Sequence, residues 1–126
     1  MEKTILIVED DKFILSTIAH RFTEKGFKIL LASNSAEAEK IIRATPPDLV
    51  LLDIILPDEN GLEFLKRIKA DAAISSVPVM IFSNLGSSQD IKQAMELGAV
   101  DYIVKASLSP NQVISKVTEI LSAQTS

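Results

Sequence analysis

The sequence contains no cysteine, and none of its apolar runs is long. The absence of cysteine excludes disulfide bonds and thiolate chemistry, and it is consistent with a reducing compartment. The first apolar run ends in acidic residues after about five positions, which is too short for a signal peptide or for the roughly 20 residues of a membrane span. We therefore expect a cytoplasmic protein with no membrane partner.

Positive charge is also scarce. The 126 residues include 13 Lys and Arg against 17 Asp and Glu, a formal net charge of -4, and the basic residues are scattered along the chain. This distribution argues against direct binding of nucleic acid. With 47% apolar residues, the chain is long enough to bury a core as one globular domain. We predict a single domain over residues 1–122 and a polar C-terminal tail over residues 123–126.

Strand-like and helix-like segments alternate five times along the chain. The predicted strands cover residues 4–8, 28–32, 48–53, 78–82 and 100–104, and the predicted helices begin near residues 12, 34, 61, 87 and 110. Asn34 and Glu37 have the spacing of a capping box, and Ser109-Pro110 is a strong helix start. The apolar stripes of the helices, including Met95 in the fourth, are assigned to the core.

Five β–α units in this length predict an α/β fold, a doubly wound five-stranded parallel sheet with five helices on its two faces. The predicted strand order is 2-1-3-4-5, the flavodoxin-like arrangement. In this order the topological switch lies between strands 1 and 3. Polar residues that follow these strands should therefore share one crevice at the carboxyl edge of the sheet.

Polar residues stand at the ends of four of these strands. Glu9 and Asp10 follow the first strand, Asp53 the third, Ser83 the fourth and Lys105 the fifth. Three close carboxylates repel one another unless a cation lies among them, and oxygen ligands suit Mg²⁺. A lysine and a hydroxyl opposite the cation can bind an incoming anion. These are the groups needed to accept a phosphoryl group, and Asp53 is the best acceptor because it lies at the centre of the predicted sheet.

Longer segments around these residues resemble the receiver domain of bacterial two-component response regulators. Together they extend over nearly the whole chain, in order and with each motif at a strand end. The resemblance implies a phosphoacceptor signalling domain, not an enzyme, that assists its own phosphoryl transfer and dephosphorylation. The segments are ILIVEDD (residues 5–11), DLVLLDIILP (48–57), NGL (60–62), Ser83 and LGAVDYIVK (97–105).

The resemblance assigns roles to the acids. It implies that Asp53 accepts the phosphoryl group, and that Mg²⁺ is held by Glu9, Asp10, Asp53 and the backbone carbonyl of Ile55. Asp11 falls one place past the acid pair. We expect it to cap the following helix.

The resemblance also assigns the phosphoryl-binding and switch residues. Ser83, the backbone N–H of Asn84 and Lys105 would bind the phosphoryl group, and Ser83 with Tyr102 would form the switch. The implied phosphodonor is a sensor histidine kinase, a phosphotransfer protein or a small phosphodonor. The implied output is a binding surface of helix 4, strand 5 and helix 5, which would contact an effector domain, a partner protein or a second copy in a homodimer.

Two positions depart from the family pattern. Ala106 follows Lys105 where receivers commonly carry a proline, often with a cis bond, and Asn84 follows Ser83 where a smaller residue is usual. In addition, Ile55 and Leu85 are expected to flank the site with apolar side chains that cannot orient an attacking water. We therefore predict slow self-dephosphorylation.

Three alternative functions share parts of this pattern. A Mg²⁺-dependent phosphatase with an aspartyl intermediate would share the acids, but such enzymes usually carry a second acid where this chain has Ile55. A flavodoxin-like cofactor binder would share the fold, but the acids at residues 9–11 would repel a phosphate. A degenerate receiver that acts as a phosphorylation-independent binding module is the third alternative.

Overall fold

Five strands alternate with five α-helices along residues 2–124, the part of the chain that the computed structural model describes. The predicted elements are all present, with ends that differ by one or two residues. In the predicted tail, the last helix continues through Gln124, and residues 125–126 lie outside the described part. The strands are β1 (Thr4–Val8), β2 (Lys28–Ala32), β3 (Leu49–Leu52), β4 (Val79–Ser83) and β5 (Asp101–Val104). The helices are α1 (Lys12–Glu24), α2 (Ser35–Ala44), α3 (Gly61–Ala70), α4 (Ser88–Glu96) and α5 (Pro110–Gln124).

The five strands form one parallel sheet in the order β2-β1-β3-β4-β5, which confirms the predicted topology. Val8 at the end of β1 pairs with Leu52 at the end of β3. The residues that follow them, Glu9 and Asp53, are therefore neighbours at the carboxyl edge of the sheet. This register positions the site.

The central strands are buried on both faces because helices cover both sides of the sheet. Along β1, Leu6 and Val8 face α2, α3 and α4, whereas Ile5 and Ile7 face α1 and α5. Each face has its own apolar cluster. The first includes Ala38, Ile42, Phe64, Leu65 and Ile68, and the second includes Ile18, Phe22, Val113, Val117 and Leu121.

Side-chain caps begin the helices at the positions that the sequence predicts. The Asp11 carboxylate accepts hydrogen bonds from the first turn of α1, and Asn34 and Ser87 cap α2 and α4. Ser109 and Gln112 bond reciprocally at the start of α5 and form a capping box. The longest helix, α5, has 15 residues, and no helix in the described part of the chain is long and apolar enough to cross a bilayer.

The assignment of Met95 to the core is wrong. Met95 is 43% exposed, and Ala94 is the only fully buried residue of α4. The reason is the position of α4, which packs mainly against the edge strand β5, so that only one side of its apolar stripe meets the sheet. Helix α4 ends at Glu96 with Leu97 as its C-cap, and Gly98 follows with a left-handed φ of 107° that glycine adopts readily.

Candidate functional site

The carboxyl ends of β1, β3, β4 and β5 surround a crevice of about 200 Å³. The structure thus brings together eight residues that the sequence singles out, counting Asp11, because parallel strands end at the same edge of their sheet. Tyr102 and Leu85 do not line this crevice. The lining residues are Glu9, Asp10, Asp11, Ile14, Asp53, Ile55, Ser83, Asn84 and Lys105.

The Asp53 side chain lines this crevice and is oriented by two hydrogen bonds. Its Oδ1 accepts from the backbone N–H of Ile55 at 3.3 Å, and its Oδ2 accepts from Lys105 Nζ at 3.0 Å. The backbone N–H of Asp53 donates to the carbonyl of Val8 at 3.1 Å, which extends the pairing of β1 and β3 past their ends. The Asp53 side chain is only 8% exposed, and it reaches solvent through the crevice.

Lys105 joins the two buried acids. Its ammonium group donates to Glu9 Oε1 as well as to Asp53 Oδ2, and it lies 5.4 Å from the centre of the Phe82 ring. Burial alone would lower the pKa of Lys105, but the hydrogen bonds to Glu9 and Asp53 raise it above its ordinary value. Lys105 is therefore a permanent positive charge in a site that is otherwise acidic.

Glu9 is 1% exposed, and its carboxylate has partners on both oxygens. Oε1 accepts from Lys105, and Oε2 accepts from the backbone N–H of Asp11 at 3.0 Å. Burial raises the pKa of Glu9, and the hydrogen bond from Lys105 opposes that rise. A buried acid of this kind gains from a cation beside it.

The acids meet the requirements of a small cation site. Carboxylate oxygens of Glu9, Asp10 and Asp53 all lie within 4.8 Å of one another. Ligands on opposite sides of Mg²⁺ stand about 4.2 Å apart, since each bond is about 2.1 Å, and Mg²⁺ prefers oxygen donors. Asp10 is exposed, so that water can complete the coordination. The three carboxylates therefore fit Mg²⁺. The role of the Ile55 backbone carbonyl as a further ligand stays a prediction.

Ser83 and Tyr102 are connected through the backbone of Leu85. The fully buried Ser83 hydroxyl accepts from the Leu85 N–H at 3.3 Å, and the Tyr102 hydroxyl donates to the Leu85 carbonyl. The Tyr102 ring packs partly against the core cluster on the α4 side. Leu85, which the sequence suggests as an apolar wall, does not line the crevice and joins the two polar residues through its main chain. Side-chain type carries no signal for such a backbone contact.

The departure at Ala106 leaves Lys105 in reach of the site. The described part of the chain has no cis peptide bond, and Lys105 begins a short 3-10 turn over Lys105–Ser107. Its side chain nevertheless contacts both Glu9 and Asp53. Asn84 also lines the crevice.

Gly61 supports the Asp53 backbone, a role that the sequence motif alone did not reveal. A Cβ at Gly61 would lie 2.2 Å from the Asp53 carbonyl oxygen and 2.8 Å from the Cα of Ile54. The Gly61 N–H donates to the Ile54 carbonyl at 2.6 Å. The sequence suggests only a loop-forming glycine here. Its contact with the acceptor residue depends on the return of the loop to the sheet.

Comparison with known proteins gives a consistent result. The family model described as the response regulator receiver domain matches residues 5–118. The phosphate regulon transcriptional regulatory protein PhoB of Pseudomonas aeruginosa is 35% identical over 94% of this chain, and the alkaline phosphatase synthesis transcriptional regulatory protein PhoP of Bacillus subtilis is 31% identical over 96%. The match covers 52% and 49% of these two proteins, so the chain spans about half their length.

Solved structures of response regulators also superpose closely on this chain. A two-component response regulator from Clostridium difficile superposes with a TM-score of 0.91 at 31% identity, over 99% of this chain and all of that one. A CheY-like response regulator receiver domain protein from Methanospirillum hungatei superposes with a TM-score of 0.90 at 27% identity, over 99% of this chain and 98% of that one.

Proposed function

Because the chain belongs to the response regulator receiver domain family, we propose that it accepts a phosphoryl group on Asp53 and thereby switches a binding surface. The observation that carries this proposal is the position of Asp53. Its carboxylate pairs with the Lys105 ammonium group and lies close to the carboxylates of Glu9 and Asp10, in a crevice that also contains Ser83. These residues can bind and neutralise a phosphoryl group on either side of an acceptor carboxylate.

The donor we propose is a phosphohistidine of a sensor kinase or phosphotransfer protein, or a small phosphodonor. An Asp53 carboxylate oxygen forms a bond to phosphorus while the bond from phosphorus to the imidazole nitrogen breaks, and the imidazole leaves with the electron pair. Mg²⁺, held by Glu9, Asp10, Asp53 and the Ile55 carbonyl, would neutralise charge on the phosphoryl oxygens when it is bound.

The residues of the chain position and hold the transferred group. Lys105, which neutralises Glu9 and Asp53 before transfer, can turn its ammonium group to a phosphoryl oxygen afterwards. The Ser83 hydroxyl can donate to a second oxygen and the backbone N–H of Asn84 to a third. The new acyl phosphate is thus bound by groups that already line the crevice.

The switch that we propose depends on Leu85. If the Ser83 hydroxyl turns towards the phosphoryl group, the Leu85 N–H loses its acceptor, and the same residue holds the Tyr102 hydroxyl through its carbonyl. The loop between β4 and α4 would then move together with Tyr102. This biases a two-state equilibrium in favour of one arrangement of the loop.

The output surface that we propose consists of α4, β5 and α5. Met95 is exposed on α4, Ile91 is partly exposed, and Lys116 of α5 contacts Asp101 of β5 at 3.2 Å. Exposed methionine is common on surfaces that bind other proteins, because its flexible side chain can pack against different partners. An effector domain, a partner protein or a second copy would bind there.

The relatives suggest the class of output. PhoB and PhoP are transcriptional regulatory proteins by name. We propose that this chain acts in the cytoplasm and controls a transcriptional effector, either joined to it or as a partner. Direct contact with nucleic acid would then fall to the effector, consistent with the net charge of -4 here.

A transfer assay tests this proposal. Acetyl phosphate with Mg²⁺ should label the wild-type chain with one acid-stable, base-labile phosphoryl group, and Asp53→Ala should remain unlabelled. Asp71→Asn is a suitable control, since Asp71 caps the C-terminus of α3 and does not line the crevice. Stoichiometric labelling of Asp53→Ala, or no labelling of the wild type, would contradict the proposal.

A further inference from the structure

The loop between β3 and α3 is attached to the N-terminus of α2 by the carboxylate of Asp58. Its Oδ1 accepts from the backbone N–H of Ser35 at 3.0 Å. Its Oδ2 accepts from the Ser35 hydroxyl at 2.7 Å and from the backbone N–H of Ala36 at 3.1 Å. Ser35 is 2% exposed, so the attachment point on α2 is buried although Asp58 itself lies at the surface.

This contact completes the cap of α2. The first turn of a helix leaves N–H groups without helical acceptors, and its dipole favours a negative charge there. Asn34 accepts from the Glu37 N–H at 2.8 Å, and Asp58 accepts from the two preceding N–H groups, those of Ser35 and Ala36. Burial would raise the pKa of Asp58, but the hydrogen bonds from Ser35 and Ala36 outweigh it and lower that pKa. Asp58 therefore binds as a carboxylate.

A second acid of the same loop strengthens the attachment. Glu59 Oε1 lies 2.5 Å from the Ser35 hydroxyl oxygen and shares the single proton of that hydroxyl with Asp58. Both Glu59 oxygens accept from Arg67 of α3 at 2.8 Å. Arg67 also contacts Glu39 of α2 at 3.1 Å. The loop is thus held by α2 and α3 together.

The attached loop carries part of the site. Only residues 54–57 separate Asp53 from Asp58, and they include Ile55, whose N–H donates to the Asp53 carboxylate. Pro57, directly before Asp58, restricts the backbone of the connection. A shift of Asp58 away from α2 would therefore be transmitted over a few bonds to Ile55 and Asp53.

We propose that Asp58 is a positioning residue of the metal site, which sets the place of the Ile55 carbonyl beside Asp53 by fixing the loop to α2. This inference rests on the proposed function, because it assumes that Mg²⁺ binds at Glu9, Asp10 and Asp53. Asp58 does not line the crevice and acts only through the loop. Groups that orient metal ligands in this way affect metal affinity without touching the metal.

Calorimetric titration with Mg²⁺ tests the proposal on four proteins: the wild type, Asp58→Asn, Ser35→Ala and Asp71→Asn. Asp58→Asn should raise the Kd for Mg²⁺ about tenfold, the lower end of the effect of residues that orient metal ligands. Ser35→Ala, which keeps both backbone contacts to Asp58, should give a smaller rise. Asp71→Asn should leave the Kd unchanged within a factor of about two. Asp71 is a matched control because its carboxylate also accepts from a backbone N–H, that of Ala73, and pairs with an arginine.

Amide spectra of the metal-free proteins separate positioning from simple helix capping. Asp58→Asn should shift the amide resonances of Ile55 and Asp53 as well as those of Ser35 and Ala36. If only the α2 resonances move and the Kd stays at the wild-type value, Asp58 is a helix cap alone and the inference is overturned. If the wild type itself binds no Mg²⁺, the proposed function fails instead, and the two failures are thereby distinguished.

Discussion

Gly61 lies directly against Asp53, with room for a hydrogen but not for a side chain between them. A Cβ at Gly61 would come within 2.2 Å of the Asp53 carbonyl oxygen. The N-terminus of α3 therefore packs closely against the backbone of Asp53, the proposed phosphoacceptor. The shape of the site therefore depends on this contact as well as on the residues that line it.

Gly61→Ala should destabilise the protein and disturb Asp53. The added methyl group meets backbone atoms, which cannot rotate away, so we expect a loss of about 3 kcal/mol in the free energy of unfolding. Labelling by acetyl phosphate should slow in the fraction that remains folded. Gly86→Ala is the control, since its methyl group would meet the Val104 side chain at 3.0 Å, which can shift. Urea unfolding measures the free energy of unfolding of the two variants. An equal loss in Gly61→Ala and Gly86→Ala would contradict this account.

Lys105→Met should make the stability of the protein depend strongly on Mg²⁺. The substitution leaves Glu9 and Asp53 buried without their counter-charge, which costs about 3 kcal/mol. A bound cation should restore part of that loss, so Mg²⁺ should raise Tm more in the variant than in the wild type.

Lys116→Met provides the control for this experiment, because its ion pair with Asp101 is partly exposed and should contribute less than about 1 kcal/mol. Labelling by acetyl phosphate should be lost in Lys105→Met and retained in Lys116→Met. An equal shift of Tm by Mg²⁺ in both variants would show that Lys105 does not share its site with the cation.

The acyl phosphate should be long-lived in the wild type. Ile55 is apolar, 60% exposed and at the mouth of the crevice, where it can exclude water but cannot orient it. Ile55→Asn should shorten the half-life of the phosphoryl group, because an amide can hold an attacking water. Leu31→Asn, an exposed position on β2 outside the crevice, should leave it unchanged. Decay of the purified phosphoprotein measures the effect, and a wild-type half-life of seconds would be incompatible with it.

Met95→Asp should impair the binding of a partner without affecting the phosphorylation of Asp53. Met95 is exposed, so the substitution should change the free energy of unfolding by less than about 0.5 kcal/mol. It should leave labelling of Asp53 intact and weaken association that depends on phosphorylation. Sedimentation of the phosphorylated chain, alone and with its effector, measures that association. If Met95→Asp associates as well as the wild type in both cases, the output surface does not include Met95.

The attachment of Asp58 to α2 should be visible in the pH dependence of stability. The pKa of Asp58 is lower in the folded protein than in the unfolded chain, because Ser35 and Ala36 donate to its charged form. Its contribution is therefore complete above the unfolded value, about 3.9, and is lost as pH falls through the lower, folded value. Urea unfolding from pH 7 down to acid should show a steeper decline for the wild type than for Asp58→Asn. Parallel curves would indicate that the bonds to α2 contribute nothing.

The wrong assignment of Met95 to the core and the unforeseen role of the Leu85 backbone have a common cause. Periodicity identifies the apolar side of α4, but the extent to which that side is covered depends on its place beside the edge strand β5. Likewise, residue type indicates what a side chain can do but not which main-chain groups will meet it. The bonds from Leu85 to Ser83 and Tyr102 are of this second kind.

The order of the strands and the gathering of Glu9, Asp10, Asp53 and Lys105 were determined by the sequence, because alternating periodicities define β–α units and parallel strands end at one edge. Only the tertiary structure decided that Asp58 would cap α2, since its partner Ser35 is 23 residues away and no local pattern connects them. Local propensity acts within a few residues. Contacts between distant loops exist only after the packing of the sheet and helices has brought them together.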